Sequence, residues 1–255
     1  MSAPAVEQAD VLGYRAIVAV VVPATNTVVQ PELESMRPPG VTNHVTRMLL
    51  PPRPHEDQEA YRRALDSERG NLEDALRLVL PCEPDIVAHG HSIHSFRGDR
   101  ARAEAERNEL ERFCGVPFVT PSLAVLAGLQ AIGDPRGLAI LTPYWPPADE
   151  MVAAFFRACG YEVVSITGLK CTGPTAVARV PLARIEAAFD ALDGPRVEAF
   201  VHVGTNLPVS AITAAIERRL GKPLIGVNVA TYWAALRRLG IDDRVAGFGA
   251  LLERH

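Results

Sequence analysis

Short apolar runs rich in β-branched residues alternate along this chain with segments of helical periodicity. The runs predicted to be strands are 16–22, 85–89, 138–141, 199–203 and 224–227. The segments predicted to be helices are 57–80, 100–113, 148–159, 182–192 and 229–239. Alternation of strands with helices is typical of a parallel sheet that has helices on both faces. The pattern therefore predicts an α/β fold.

A weak internal repeat divides the chain into two similar parts. Residues 17–26 resemble residues 138–144, and residues 86–92 resemble residues 200–206. Two such halves facing each other would bring four strand ends around one cleft. Ligands of open α/β sheets bind at the carboxyl ends of the strands. We therefore expect two parallel-sheet α/β halves related by a pseudo-twofold axis, with the functional site in the cleft between them.

The boundaries of these halves follow from the repeat. We expect residues 1–118 together with 226–255 to form the first half and residues 119–225 to form the second. The proline-rich segment 36–55 lies between a predicted strand and a predicted helix. It is expected either to edge the cleft or to cover the sheet.

Composition and charge narrow the class of protein. The chain has 255 residues, of which 48% are hydrophobic and 22% charged, an ordinary balance for a soluble globular protein. A net charge of −4 provides no basic surface for a nucleic acid. No apolar run approaches the roughly 18 residues that a membrane span needs, and residues 1–10 lack the features of a signal peptide. We expect a cytoplasmic enzyme with a small-molecule substrate; a homo-oligomer is left open.

The four cysteines do not form a metal or redox motif. None of Cys82, Cys114, Cys159 and Cys171 belongs to a closely spaced pair. The first three lie near the ends of helical segments and are expected to be buried as small hydrophobic residues. Cys171 lies in a loop that can approach the cleft, but a reactive role would require a lowered thiol pKa.

Two loops that follow predicted strands carry groups suited to binding an anion. In the stretch 23–27, the Asn26 amide and backbone N–H groups at a helix start would make an anion site. Simple N-capping by Thr25 or Asn26 explains the same residues equally well. The triplet Thr142-Pro143-Tyr144 ends the first strand of the second half, where an ordinary turn is the alternative to a binding role for the Tyr144 hydroxyl.

Two further stretches place small polar residues directly after apolar runs. The first contains Gly90-His91-Ser92 and the second Gly204-Thr205-Asn206. Such residues at the carboxyl end of a parallel strand are typical of an active-site wall. An imidazole that titrates near neutrality, as His91 would in the cleft, can act as a general acid or base.

These stretches resemble the two half-sites of the aspartate/glutamate racemase superfamily. Residues 90–98 resemble the Gly-Thr-Ser-Leu-Ser-Phe-Tyr-Arg-Gly segment of arylmalonate decarboxylases, with His91 in place of the threonine. Residues 204–207 resemble the Cys-Thr-Asn-Leu segment of maleate cis-trans isomerases, with Gly204 in place of the cysteine. The resemblance extends from residue 16 to about residue 239. It implies the fold predicted above, and an enzyme that uses neither metal nor cofactor.

The resemblance also implies roles for individual residues. Asn26 and Tyr144 would hold a substrate carboxylate, and Ser92 would help to stabilise an enediolate. The remaining candidates for substrate binding are Gly90, Gly204, Thr205 and Asn206. Members of the superfamily usually carry a cysteine in each half-site, whereas this chain has glycine at both positions, Gly90 and Gly204.

Without a thiol at either half-site, the reactions known in the superfamily differ in whether this chain has the groups that they need. Racemisation by two bases and isomerisation by thiolate addition both lack their reactive atoms. Decarboxylation needs only a bound carboxylate, donors for the developing enediolate and a proton source. We therefore favour a cofactor-independent decarboxylase of a small carboxylic or dicarboxylic acid, in which His91, Ser92 and Tyr144 are catalytic. A cis-trans isomerase or racemase with other acid–base residues, and a carboxylate-binding protein without catalysis, are the alternatives.

The other histidines and the apolar residues near these motifs complete the predictions. His89 and His91 alternate along an extended segment and would point to the same side. No carboxylate stands at a spacing that would complete a metal site with them. His89 and His202 are expected to be structural, with hydrogen bonds beneath the site. Four apolar residues are expected to shape the pocket: Ile93, Phe96, Trp145 and Val203.

Overall fold

The computed structural model of the protein describes residues 10–50, 63 and 68–255. The first of its two sheets contains four parallel strands, β1 (Ala16–Pro23), β2 (Val41–Met48), β3 (Ile86–His89) and β4 (Phe118–Val119). Their order is β2-β1-β3-β4. The central strand β1 is buried along almost its whole length, which is why its sequence is a continuous run of alanine and branched residues.

The second sheet has the same arrangement. Its strands are β5 (Gly137–Thr142), β6 (Glu162–Gly168), β7 (Ala199–His202) and β8 (Leu224–Gly226), in the order β6-β5-β7-β8, and all are parallel. The matching orders confirm the predicted α/β fold with two similar parallel sheets. The boundaries predicted for the two halves, 1–118 with 226–255 and 119–225, stay a prediction.

In the described part of the chain, ten α-helices accompany the strands, besides the single helical residue Arg63. They are α1 (Val29–Met36), α2 (Glu68–Val79), α3 (Arg100–Cys114), α4 (Pro121–Ala131), α5 (Pro146–Ala158), α6 (Pro174–Val177), α7 (Leu182–Leu192), α8 (Thr213–Leu220), α9 (Val227–Arg238) and α10 (Ala250–Arg254) among the described residues. Proline occupies the first turn of three helices, α4, α5 and α6, where its missing N–H costs no hydrogen bond. Short 3-10 turns occur at Leu80–Cys82, Ile93–Ser95 and Ser210–Ile212. No helix in the described part of the chain is long and apolar enough to cross a membrane.

One apolar core connects the two sheets. It contains Val20 and Ala88 from the first sheet and Ile140 and Val201 from the second. Helix α9 packs against α4 and also contacts β3, β4 and β8. The two sheets are thereby held together through shared helices, and the carboxyl ends of their central strands face a common cleft.

Several elements were not expected from the sequence. Strands β2 and β6 are edge strands that are only partly buried and carry polar residues, so they lack a continuous apolar run. The two-residue strand β4 and the helices α1, α4 and α8 were also missed. Helix α4 is apolar on nearly all sides because it is buried, which hides its helical periodicity.

The predicted segments 36–55 and 57–80 lie only partly within the described residues. Residues 41–48 of the first form edge strand β2, and Leu49 and Leu50 reach the cavity described below. Residues 68–79 of the second form α2, and Arg63 is helical. Residues 51–62 and 64–67 lie outside the described residues.

Candidate active site

A cavity of about 370 Å³ lies where the carboxyl ends of β1, β3, β5 and β7 come together. The loop after each of these strands contributes to its wall. Its lining residues are Pro23, Ala24, Thr25, Asn26, Leu49, Leu50, His91, Ile93, Pro143, Tyr144, Trp145, Pro147, Ala148, Cys171, Gly173, Pro174, Val177, Gly204, Thr205 and Asn206. This is the edge of the sheets at which parallel α/β proteins bind ligands.

Hydrogen bonds between the two halves connect four of the predicted site residues. The hydroxyl oxygens of Ser92 and Tyr144 are 2.9 Å apart. The backbone N–H of Thr205 donates to Ser92 Oγ over 3.3 Å, and Asn26 Nδ2 donates to Thr205 Oγ1 over 3.3 Å. Ser92 is almost fully buried and lies behind the cavity wall. The network holds the strand ends of both halves in one fixed arrangement.

Asn26 combines the two roles that its sequence context left open. Its Oδ1 accepts hydrogen bonds from the backbone N–H groups of Val28, at 3.0 Å, and Val29, at 2.9 Å, at the start of α1. Its Nδ2 faces Thr205 in the other half, and the residue lines the cavity. Arg47 donates to the Asn26 carbonyl over 2.8 Å. The asparagine therefore both orders the first turn of the helix and contributes to the cavity.

The Asn206 side-chain amide forms hydrogen bonds with backbone groups of both halves. Its Oδ1 accepts a hydrogen bond of 2.9 Å from the Thr27 N–H, and its Nδ2 donates to the Pro174 carbonyl over 2.8 Å. Within the described residues, by contrast, no hydrogen bond occupies the backbone N–H of Thr25, Gly204 or Asn206. These three N–H groups belong to residues that line the cavity, which makes them candidates for binding an anion.

His91 is the imidazole of the cavity wall, and a buried carboxylate lies beside it. Its Nδ1 is 3.6 Å from Oε2 of Glu68, and the side chains are 6% and 2% exposed, respectively. Sequence reasoning missed Glu68, which lies on α2 far from any predicted strand end. Its neighbours in the sequence are mostly polar or charged, among them Asp66, Ser67 and Arg69, as on a solvated helix face, so no local pattern marks it.

The two glycines at the half-site positions differ in their surroundings. Gly204 lines the cavity with φ of +144°, and a Cβ there would press against the ring of Pro143. Gly90 does not reach the cavity: a Cβ there would lie 2.7 Å from Val22 Cγ1 and 3.1 Å from Val29 Cγ1. Close packing, rather than contact with a ligand, therefore accounts for glycine at position 90.

His89 and His202 are buried at the ends of β3 and β7. Burial lowers the pKa of each imidazole to about 3, so both rings are neutral near pH 7. His202 has a hydrogen bond with the Gly204 backbone, whereas neither ring has a partner for its Nε2 in the described part of the chain. The residues that the structure describes also contain no cluster of three or more His, Cys, Asp or Glu side chains suited to holding a metal ion.

The four cysteines are free and half-buried. Burial raises the pKa of all four thiols, that of Cys114 to about 11. Cys171 is the one that lines the cavity, where its carbonyl also accepts a hydrogen bond of 2.9 Å from the Trp145 indole. Its raised pKa makes it a poor source of thiolate at neutral pH.

Apolar side chains form much of the cavity wall, but only half of those predicted do so. Ile93 and Trp145 line the cavity, as expected. Phe96 instead packs in the core against Phe155, with ring centroids 5.3 Å apart, and Val203 is also in the core.

Comparison with known proteins gives the family. The model of the arylmalonate decarboxylase family matches residues 57–252. The chain belongs to this family. It is 33% identical over 191 residues to arylmalonate decarboxylase of Bordetella bronchiseptica, covering 71% of this chain and 76% of that protein. It is 29% identical over 243 residues to maleate isomerase of Pseudomonas putida, covering 91% of this chain and 95% of that protein. The membership confirms the resemblance to the aspartate/glutamate racemase superfamily.

Solved structures of the family have the same fold. Unliganded arylmalonate decarboxylase matches with a TM-score of 0.73 and 26% identity, covering 92% of this chain and 98% of that one. A cysteine-to-serine variant of Nocardia farcinica maleate cis-trans isomerase, with a covalently bound succinylcysteine intermediate, matches with a TM-score of 0.83. That match has 23% identity and covers 94% of this chain and 98% of the other. The chain is an enzyme of the lyase or isomerase type.

Proposed function

We propose that the protein is a cofactor-independent decarboxylase of malonates that carry an aryl or similarly bulky apolar group, with His91 as the proton donor. The observation that carries the proposal is the position of His91. Its imidazole lines the cavity and is backed by the Glu68 carboxylate, while Gly90 and Gly204 provide no thiol. A neighbouring carboxylate favours the protonated imidazole that a proton donor requires.

Neutral donors would hold the carboxylate that remains on the substrate. Among the residues that the structure describes, no arginine or lysine lines the cavity. The cavity wall instead offers the Tyr144 hydroxyl, which is hydrogen-bonded to Ser92, and the backbone N–H groups of Thr25, Gly204 and Asn206. Fixed dipoles in a site shielded from water stabilise developing negative charge more strongly than they do in solution.

The apolar part of the cavity would receive the aryl group. Leu49, Leu50, Ile93, Trp145 and Val177 lie along its wall. A volume of about 370 Å³ is in the range of pockets that enclose ligands larger than a four-carbon diacid. This wall favours a malonate with a bulky substituent over maleate, both of whose ends are charged.

The reaction would proceed through an enediolate. The bond between the α-carbon and one carboxylate breaks, carbon dioxide leaves, and the bonding electron pair stays on the remaining fragment. The Tyr144 hydroxyl, which is hydrogen-bonded to Ser92 behind the cavity wall, stabilises the oxygen that gains this charge. His91 then transfers its proton to the α-carbon and is reprotonated from solvent, so each turnover consumes one proton.

The experiment that tests this function measures carbon dioxide release from phenylmalonate by the metal-free protein. We expect turnover by the wild type and a loss of about a hundredfold or more in His91→Gln. The matched control is His44→Gln, which changes an exposed histidine of β2 and should leave turnover unchanged. Undiminished turnover in His91→Gln, with its fold intact by circular dichroism, would remove His91 from the mechanism.

A cis-trans isomerase is the second candidate. The maleate isomerase of Pseudomonas putida aligns with 91% of this chain and the decarboxylase of Bordetella bronchiseptica with 71%. Cys171 also places one thiol on the cavity wall. Conversion of maleate to fumarate that is abolished in Cys171→Ser would support this function instead. Release of carbon dioxide from phenylmalonate by the same variant would support the decarboxylase.

A further inference from the structure

A series of acidic and imidazole side chains leads away from the cavity behind His91. Oε2 of Glu68 is 3.6 Å from Nδ1 of His91 and 3.8 Å from Nδ1 of His94. Nε2 of His94 is in turn 2.8 Å from Oε1 of Glu106. Side-chain exposure rises along the series, from 2% for Glu68 to 12% for His94 and 17% for Glu106. The series therefore extends from the cavity wall towards solvent.

The burial of the Glu68 carboxylate does not help to stabilise the fold, so it calls for another explanation. Removing a carboxylate from water costs several kcal/mol, and an ion pair seldom returns more than that cost. A leucine or methionine would fill the same space without it. A buried acid that contacts two histidines, one of them on the cavity wall, is instead typical of a site that controls protonation.

The same oxygen atom of Glu68 faces both histidines. Distances of 3.6 and 3.8 Å are those of ion pairs rather than of direct hydrogen bonds. A small rotation of the carboxylate towards one ring moves it away from the other. His91 and His94 consequently compete for one negative charge.

Glu106 holds His94 in this arrangement. Burial alone would raise the pKa of Glu106, but the hydrogen bond and positive charge of His94, together with Arg102, lower it below its usual range. His94 thus lies between two carboxylates, with Nδ1 facing Glu68 and Nε2 facing Glu106. It is a second partner towards which the Glu68 carboxylate can turn when His91 has given up its proton.

We propose that Glu68 and His94 are positioning residues that set the protonation of His91, with the Glu68 carboxylate shared between the two rings. This inference rests on the proposed role of His91 as proton donor. After His91 protonates the α-carbon, Glu68 pairs with His94. When a proton from solvent returns to His91, Glu68 pairs with His91 again, and the next turnover begins.

The experiment follows the ring of His91 by proton NMR in the free protein, so that it needs no substrate. The His91 resonance is assigned by its absence from the spectrum of His91→Gln. Several ionisable groups surround this ring or the cavity in front of it: Glu68 on α2, His89 on β3, His94 on the following 3-10 turn, Glu106 and Arg102 on α3, and Tyr144 and Cys171 across the cavity.

The two variants should move the titration midpoint of His91 in opposite directions. Glu68→Gln removes the shared negative charge and should lower the midpoint by about one pH unit. His94→Gln removes the competing ring, strengthens the pairing of the carboxylate with His91 and should raise the midpoint by about half a unit. The alkaline limit of kcat/KM for phenylmalonate should shift in the same directions.

Glu73→Gln is the matched control, because Glu73 lies on the same helix α2 and pairs with Arg69 at the surface. It should leave the midpoint unchanged. An unchanged midpoint in Glu68→Gln, or shifts of the same sign in both variants, would overturn the inference. Loss of turnover in His91→Gln would then still support the proposed function. Opposite shifts combined with full turnover in His91→Gln would instead leave the coupling of the three side chains standing and remove only the role of His91 as proton donor.

Discussion

At the scale of single residues, Gly204 shows why a thiol cannot simply be restored at the second half-site. Its φ of +144° lies in a region that other residues rarely adopt, and a Cβ would press against Pro143. The chain has thus adapted to glycine at this position, in its backbone as well as in its chemistry.

We therefore expect Gly204→Cys to lower the free energy of unfolding by about 1–3 kcal/mol and to create no thiol-dependent isomerase activity. Urea denaturation and a maleate assay check the two outcomes. Gly70→Ala is the control, since a Cβ at this helical position meets nothing within 4 Å and should not destabilise the protein. A Gly204→Cys protein as stable as the wild type would contradict the argument.

Residues at strand ends were predictable from sequence, whereas their supporting partners were not. Asn26, His91, Tyr144 and Thr205 follow apolar runs directly, and the structure brings all four to one cavity. Glu68 has no such signal, because its position beside His91 depends on how α2 packs against the first sheet. Local patterns mark the end of a strand but not the helix that will cover it.

At the scale of elements, the start of α1 links folding to binding through one side chain. The oxygen of the Asn26 amide orders the first turn of the helix, and its nitrogen faces the other half. Aspartate keeps the first function and loses the second, and alanine loses both. The two substitutions therefore separate helix capping from the role in the cavity.

We expect Asn26→Asp to retain wild-type stability within about 0.5 kcal/mol, while Asn26→Ala loses about 1 kcal/mol. Both should lose turnover, Asn26→Asp most strongly because it places a second negative charge beside the substrate carboxylate. Thermal denaturation and phenylmalonate turnover provide the two measurements. Equal turnover in the wild type and Asn26→Asp would show that Asn26 has only the capping role.

The elements that sequence predicted correctly are those buried on both faces or clearly amphipathic. Strands β1 and β5 have uninterrupted apolar runs, and α7 begins and ends at the predicted residues, 182 and 192. Edge strands β2 and β6 carry polar residues on their exposed sides and lack that signal. Their pairing depends on the neighbouring strand, which a local pattern does not contain.

At the scale of the whole molecule, two buried imidazoles couple stability to acidity. Burial lowers the pKa of His89 and His202 from 6.5 to about 3. Between these two pH values the unfolded chain takes up a proton that the folded protein excludes. The contribution of these two neutral rings to the free energy of unfolding is thus complete above pH 6.5, and it is lost as the pH falls towards 3.

The free energy of unfolding should accordingly fall between pH 6 and pH 4, with each histidine contributing up to about 1.4 kcal/mol per pH unit. His202→Asn is expected to be less stable than the wild type at pH 7, and the gap should narrow on acidification. Urea denaturation at pH 7, 6 and 5 measures the slopes. His44→Gln should have the same dependence of the free energy of unfolding on pH as the wild type. If His202→Asn also had the wild-type slope, His202 would not be a source of this pH dependence.

The two halves of the molecule share a strand order but contribute different groups to the cavity. His91 enters from the first half, whereas the second half contributes Tyr144, Thr205 and a thiol that is poorly acidic. A planar intermediate held between them presents a different face to each half. In the reaction proposed above, His91 reaches only one of those faces, so the acid formed from a malonate with two unlike substituents would be a single mirror image.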